Sequence, residues 1–499
     1  MLTLAPFCAL LGLAATSYAN PFDKQDALTD CLVGSGVPIN APGSADWKLD
    51  SAPFNLRLNY TPVAIAVPTT AKHVQDAVAC AAELGIKANA KCGGHSYASF
   101  GLGGEDGHLT IEMDRMNKVV LDNSTGIATV EGGSRLGHVA WELYQQGRRG
   151  FSHGTCPGVG VGGHALHGGY GISSHTKGLA LDWIVGATVV LANSTIVNCS
   201  KTENPDLFWA IRGAGSSMGV VTEFKFDTFE VPEKVTYFIA PVQWPTEARA
   251  LVGVRAVHEF AKTMPMELNM RLFIAKRFIN LEGLYYGDKA GLQAVLAPLQ
   301  KITNATLAVA TTGGWLDQIK HFGNGVNIDQ GHNLAQHETF YSTSLYTKAL
   351  SEEKLEQFVS YWFKQAKSNP RDWYVHIDLH GGENSAVSSQ DDDSSAYAHR
   401  DYLLMYLLYD RIDKGTYPAD GHTIMSNFAR NITEGLPKED WGMYINYPDS
   451  RGLMDQETAQ VNYWGKNLPR LQAIKKAVDP NDVFHYPQGV LPTTDARSL

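Results

Sequence analysis

Apolar positions along the first half of the chain follow two periods. Val74, Ala77, Val78 and Ala81 recur at helical spacing over residues 70–85, and Gly85 supplies a stop. Short apolar runs flank them at 63–67 and 86–90, so a β-α-β unit is predicted. Residues 109–113 and 127–130 alternate apolar with polar as strands do, and 136–146 has the spacing of a helix. Residues 150–178 are packed with Gly and His, carry neither period, and read as a loop. Residues 184–197 read as a hairpin turning at Asn193-Ser194, 205–211 as a short helix, and 220–226 as a strand.

After Pro232 the texture changes. Longer strand patterns appear at 270–274, 374–379 and 441–447, with helical stretches at 247–262 and 351–368. A domain boundary is placed near residue 231. Residues 384–395 are polar and acidic and read as a surface loop; 461–478 reads as one helix ending at Asp479-Pro480. No internal repeat is visible.

Composition narrows the class. A chain of 499 residues suggests two or three domains of roughly 100–200 residues each. With 44% hydrophobic and 18% charged residues, a wholly disordered chain is excluded. The net charge of -10 and the lack of any basic run argue against nucleic acid; either the substrate is neutral or cationic, or the charge serves only solubility. Residues 2–15 carry no charge, and Ser17-Tyr18-Ala19 offers a small-x-small cleavage site. Residues 1–19 therefore read as a signal peptide of a secreted, extracellular protein. No later stretch approaches the roughly 18 apolar residues of a membrane span. Glycosylation sequons at Asn59, Asn123, Asn193, Asn198, Asn304 and Asn431 agree with secretion. Of six cysteines, Cys8 leaves with the signal peptide; five remain, so at least one lies outside any intramolecular disulfide.

Two strings carry candidate chemistry. In Lys91-Cys92-Gly93-Gly94-His95-Ser96-Tyr97, paired glycines let backbone approach a ligand and His95 projects from a turn. The second is His153-Gly154-Thr155-Cys156-Pro157-Gly158-Val159-Gly160-Val161-Gly162-Gly163-His164. Its glycine spacing, with no strand directly before and no amphipathic helix after, excludes a nicotinamide-type dinucleotide site. His153, Cys156, His164 and His167 match no common zinc spacing, and no metal site is expected. A Cys–His hydrolase fits by residue type alone. The remaining reading is a row of backbone N–H groups cradling a pyrophosphate, with Cys156 facing the cofactor.

These two strings, with Arg212-Gly213-Ala214-Gly215, resemble the FAD-binding domain of the vanillyl-alcohol-oxidase type. The tail Tyr463-Trp464-Gly465-Lys466-Asn467-Leu468-Pro469-Arg470-Leu471 with Asp479-Pro480-Asn481-Asp482-Val483-Phe484 resembles the berberine-bridge-enzyme subgroup. Pro53-Phe54-Asn55 and residues 95–100 and 152–156 are similar to fungal oligosaccharide oxidases. The resemblance covers nearly the whole mature chain.

The resemblance implies an α+β fold: a two-part FAD-binding domain over 20–230 and a substrate domain over 231–439 with an antiparallel sheet backed by helices. A berberine-bridge-like segment over 440–499 then returns to the FAD domain. It implies FAD bound covalently twice, through His95 and Cys156, in a glycine cradle of Gly93, Gly94, Gly158, Gly160 and Gly162, with Tyr486 reaching back from the tail. Cys92 is the competitor for Cys156. Cys31 would pair with Cys80, leaving Cys92 and Cys199 undecided.

Tyr447 matches the family's catalytic tyrosine and Asp378 its carboxylate partner. Tyr374, His376, Asp378 and His380 share one strand face by period-2 alternation. A nearby anion raises a phenol's pKa, so Asp378 would act as a proton acceptor for Tyr447 and not as a depressor of its pKa. Tyr97 and Tyr170 are expected as sugar platforms, and Thr155, Arg271, Tyr374 and His376 as hydroxyl contacts. Phe273 stands where relatives carry Glu and removes an acceptor. Val159, three residues after Cys156, would govern access of O2. The activity implied is oxidation of the reducing-end C1 of oligosaccharides to a lactone with reduction of O2 to hydrogen peroxide, by a monomer. The alternatives are a flavin oxidase or dehydrogenase of secondary-metabolite alcohols or amines, and a carbohydrate-binding protein without catalysis.

Overall fold

The apolar stripe Val74, Ala77, Val78 and Ala81 is fully buried along the helix Ala71–Glu83. Thr70 starts that helix by accepting the His73 N–H at its hydroxyl. The computed structural model describes residues 21–330, 336–451 and 454–493, so the signal-peptide expectation at 1–19 lies outside the described residues. The helix covers a four-stranded sheet ordered Ile39–Asn40, Ala64–Ala66, Leu109–Glu112, Ala88–Lys91. Both neighbours of Leu109–Glu112 run parallel to it, as the predicted β-α-β crossover requires. Leu109–Glu112 is buried at every position, so the strand is covered on both faces and not half-exposed. A disulfide, Cys31–Cys80, joins the helices Pro21–Gly34 and Ala71–Glu83.

A second sheet is wholly antiparallel, ordered Val119–Asp122, Ile127–Glu131, Val220–Phe226, Ile184–Val190, Ile196–Ser200. The predicted hairpin turns at Ser194, which takes a positive φ of 61°. The stretch 150–178 is not all loop. It contains the short helices Val161–Ala165 and Ser174–Lys177, too brief to show a period.

The third sheet has eight antiparallel strands, ordered Val309–Gly313, Val235–Pro241, Ile279–Tyr285, Leu268–Ala275, Asp372–Leu379, Leu404–Ile412, Thr339–Thr347, Trp441–Gly442. Strand alternation divides its residues. Leu272, Ile274, Val375 and Ile377 enter a core with the helices Glu247–Thr263, Lys289–Thr303, Glu352–Lys364 and Thr423–Thr433. Arg271, Phe273, Tyr374, His376 and Asp378 point to the other face, which borders a large cavity. The architecture is the α+β arrangement of two sheets below and a helix-backed antiparallel sheet above.

Three local expectations need correction. The strand predicted at 441–447 stops after Gly442, because Ser344 Oγ takes over pairing at Tyr444: it donates to the Tyr444 carbonyl and accepts its N–H. The helix predicted at 461–478 is two helices, Gln456–Trp464 and Leu468–Val478, broken at Gly465 with φ 42° and restarted at Leu468-Pro469. The polar stretch 384–395 is anchored at fully buried Val387 and Ser395, so only its middle is exposed. Five of the sequon asparagines are exposed; Asn431 is half-buried on a helix and donates to Asn427 O. Among the described residues no helix is long and apolar enough to cross a membrane.

The tail is fixed by buried charge. Lys475 Nζ and Asp479, both without solvent exposure, pair at 2.6 Å, and Asp482 adds a second contact to the lysine at 2.9 Å. Asp479 also accepts the N–H groups of Val483 and Phe484 at 2.7 and 2.9 Å. The Val483 carbonyl then accepts from Ala88 N–H, which docks the tail on the first sheet. Removing one partner of such a pair strands the other charge in the interior. Asp479→Ala is expected to cost about 3–5 kcal/mol, read as a lowered denaturant midpoint. A midpoint within error of the parent would show that the pair contributes nothing.

Candidate functional site

Two loops that carry the chemistry-bearing residues meet backbone to backbone. A Cβ at Gly93 would collide with Gly160 N and Gly158 O; one at Gly160 would strike Gly93 N and Cys92 Sγ. Arg135, itself buried, locks the meeting by donating from Nη1 to Gly93 O at 2.9 Å and to Gly158 O at 2.6 Å. Ser134 O, Val159 O and Pro157 O accept from Val161, Leu136 and Gly137, so the second loop is laced to the start of the helix Leu136–Gly147. Sequence reasoning missed Arg135. A lone arginine before a helix carries no motif, and only the fold shows its two carbonyl partners.

Between these loops and the eight-stranded sheet lies a cavity of about 790 Å³. It is bordered by His95, Cys156, Tyr486, Asp378 and Tyr447 together. Gly93, Gly94, Gly160, Gly162, Thr155, Val159, Tyr97, Tyr170, Arg271, Phe273, Tyr374 and His376 also line it. Gly158 does not; it serves through its carbonyl on Arg135. His380 leaves the row: it lies past the end of its strand, with Nε2 2.9 Å from the Tyr397 hydroxyl.

The two side chains proposed as tethers differ in state. Burial pushes the His95 imidazole down to about 3, so its nitrogens keep a free lone pair, and Phe54 stacks on its ring at 4.4 Å. Burial also raises the Cys156 thiol, and the Gly158 and Val159 N–H groups pull it back. The competitor Cys92 is committed elsewhere: Sγ donates to Ser134 O at 3.3 Å, and burial holds its thiol up at about 11. Cys199 is buried among core side chains. Val159 is partly buried against the same core. Tyr486 is buried, takes a hydrogen bond from Ser217 Oγ at 3.1 Å and packs on Phe100 at 4.8 Å.

Tyr447 sits in a bend, not on a strand. Its N–H returns to Tyr444 O at 2.9 Å, and Asn446 Nδ2 reaches His164 O at 3.1 Å, which ties the bend to the glycine loop. Tyr97 stacks on Tyr447 at 5.7 Å and on Phe54 at 5.8 Å, so it props the tyrosine as well as bordering the cavity. Tyr444 packs edge-on at 5.2 Å, and its hydroxyl accepts the N–H groups of Gly169 and Tyr170.

Burial, then Tyr97 and Asp378, raise the Tyr447 phenol well above its ordinary value; Arg271 opposes them. Burial lifts Asp378 to about 7, with Arg271 lowering and Glu282 raising it. Such a carboxyl changes state in the neutral range, where a proton acceptor is useful. Phe273 packs on His376 at 4.2 Å and on Tyr374 at 5.4 Å, giving the sheet face an apolar corner.

A family model described as an FAD binding domain matches residues 62–200, and one described as berberine and berberine like matches 443–491. A xylooligosaccharide oxidase of Thermothelomyces thermophilus is 48% identical over 98% of this chain and 99% of its own. A chitooligosaccharide oxidase of Gibberella zeae is 45% identical over 97% of this chain and 98% of its own. The chain belongs to the berberine-bridge-like FAD oxidoreductases, among the oligosaccharide oxidases. The structure of a xylooligosaccharide oxidase from Myceliophthora thermophila in complex with xylobiose superposes with a TM-score of 0.92, covering 94% of this chain and all of that one. The glucooligosaccharide oxidase of Acremonium strictum, 42% identical with a TM-score of 0.91, is described with a 6-S-cysteinyl, 8α-N1-histidyl FAD.

The cavity fits FAD on its own observations. A neutral imidazole and a thiol border one space, and bare glycine backbone lines it where side chains would collide. Gly160→Ala is expected to force the loops apart and abolish FAD retention in a folded protein. Parent-like flavin absorbance per chain, with unchanged circular dichroism, would show that the close approach is not needed.

Proposed function

We propose that this protein is a carbohydrate oxidase holding FAD through both His95 and Cys156. It oxidises the reducing-end C1 hydroxyl of an oligosaccharide to a lactone and delivers the electrons to O2 as hydrogen peroxide. The observation that carries this reading is the convergence of His95, Cys156, Tyr447 and Asp378 on one cavity. The activities of the relatives, and the flavin linkage of the Acremonium strictum enzyme, support it. The division into an FAD-binding part to residue 230, a substrate part to 439 and a returning tail belongs to the same reading, as do secretion and a monomeric state.

When bound, FAD supplies the hydride acceptor for C1 and the electron route to oxygen. Two covalent attachments raise the reduction potential of such a ring and hold it at an open site. The chain's residues handle the proton. Tyr447 Oη takes the proton of the C1 hydroxyl while its own phenolic proton passes toward the Asp378 carboxylate. The raised pKa keeps the buried phenol protonated, so Tyr447 can take the substrate proton only as its own passes to Asp378. Tyr170, Tyr374 and His376 form the wall against which a sugar would stack, and Arg271 and Thr155 offer hydroxyl contacts. Val159, three residues after Cys156 and partly buried at the cavity, would limit how closely oxygen approaches a ring held there.

The double attachment is tested by acid precipitation. Yellow colour should stay with the protein pellet in the parent, in His95→Ala and in Cys156→Ala, and pass to the supernatant only in the double variant. Free FAD from the parent would remove the claim.

Tyr447→Phe is expected to slow anaerobic flavin bleaching by cellobiose or xylobiose about 10²–10⁴-fold at unchanged flavin content. In the parent, bleaching should rise with pH through a midpoint near neutrality, because Asp378 must be ionised to accept the proton. Near-parent bleaching by the phenylalanine variant would take the base role from Tyr447. A flavin bleached by neither sugar, yet reduced by an aromatic alcohol or amine, would move the protein to the secondary-metabolite alternative.

A further inference from the structure

Arg271 stands between two carboxylates. In the antiparallel register it lies directly opposite Glu282 on one neighbouring strand and directly opposite Asp378 on the other. All three border the cavity, so they form one cross-strand row, carboxylate–guanidinium–carboxylate. The row is lopsided. Arg271 Nε and Nη2 both donate to Glu282 Oε1, at 2.7 and 2.5 Å, and both side chains are largely buried. Asp378 feels the same cation through space only.

Other groups around Asp378 do not change that balance. Tyr447 and Tyr170 face it from the bend and the glycine-rich stretch as neutral phenols. His376, on its own strand, is held neutral by burial, and His380 turns to Tyr397. Met405, opposite it on the far side, carries no charge. His321 faces Glu282 and Arg271, not Asp378, and its imidazole is pushed toward the neutral form.

We propose that Glu282 is a positioning residue for proton transfer: by engaging the Arg271 guanidinium on both donors, it withholds that charge from Asp378 and keeps Asp378 able to accept the Tyr447 proton. The inference rests on the roles given to Tyr447 and Asp378 above. An unshared cation within about 4–6 Å lowers a carboxyl's pKa by about 1–3 units, which would make Asp378 a weak acceptor. A guanidinium already paired presents Asp378 with a dipole instead. In the step itself, the C1 hydroxyl proton moves to Tyr447 Oη and the phenolic proton moves to an Asp378 oxygen. The C1 hydrogen leaves with its electron pair to FAD, so the carboxylate ends neutral and the sugar ends as lactone.

Glu282→Gln keeps an oxygen for Arg271 and removes the charge. In it, the acid-side midpoint of anaerobic flavin reduction should fall by about 1–2 pH units at parent flavin content. Glu282→Asp, which keeps the charge, should hold the parent midpoint. Arg271→Gln, which removes the cation and leaves Glu282 facing Asp378, should move the midpoint upward. A readout without sugar is the infrared band of the protonated Asp378 carboxyl, isolated by difference against Asp378→Asn and titrated in each protein. It should move in the same directions. Rates that fall equally at every pH with a fixed midpoint and a fixed carboxyl band would make Glu282 a packing residue and overturn the inference. A band that moves in a protein that bleaches with no sugar would sustain the coupling while removing the carbohydrate reading.

Discussion

The structure depends on a close approach of backbone. Gly93 and Gly160 lie near enough that neither can bear a side chain, and Arg135 holds the two strands of chain by one carbonyl each. Charge-assisted bonds to carbonyls are stronger than neutral ones, and here they act away from solvent. This junction fixes where His95 and Cys156 stand, because each lies within four residues of a glycine in it. The cavity, its width between the loops and the sheet, and the placement of Tyr447 through Asn446 and His164 all follow from it.

Burial, more than any specific ion pair, sets the protonation pattern around that cavity. His95 and His164 are both driven down to about 3, so the histidines there act as lone-pair carriers or acceptors and not as cations. His164 uses that state directly, taking the Gly154 N–H on Nε2 at 2.9 Å. The same desolvation lifts Asp378 to about 7 and the surrounding phenols higher. The imidazoles and phenols so neutralised suit a neutral sugar, whose binding is then governed by aromatic faces and hydroxyl contacts.

Much of this was legible in the sequence where a residue's local pattern carries its structural reason. The helix Ala71–Glu83, the β-α-β unit and the hairpin at Ser194 appear where period and turn chemistry place them. The alternation of Tyr374, His376 and Asp378 survives because a strand leaves it no choice. What was not legible depends on distant partners. The strand expected through Tyr447 fails because Ser344, about a hundred residues away, supplies the bonds at Tyr444. Arg135 and Glu282 carry no motif of their own, and their partners come from other elements. Cys156 matches the tether motif in the sequence, but that its competitor Cys92 is committed to the Ser134 carbonyl shows only in the fold.

The clamped tail has a consequence for how the cavity is closed. Phe484 and Tyr486 form part of the cavity wall, yet they follow His95 by almost 400 residues. Until Lys475 and Asp479 have paired and Val483 has met Ala88, the floor beneath the glycine loops is missing. The strands of the two lower sheets all precede residue 231, so one wall of the cavity comes from a segment remote from them in sequence. The cavity is thereby closed by a long-range contact, whose loop-closure entropy the buried Lys475–Asp479 pair and its neighbours must offset.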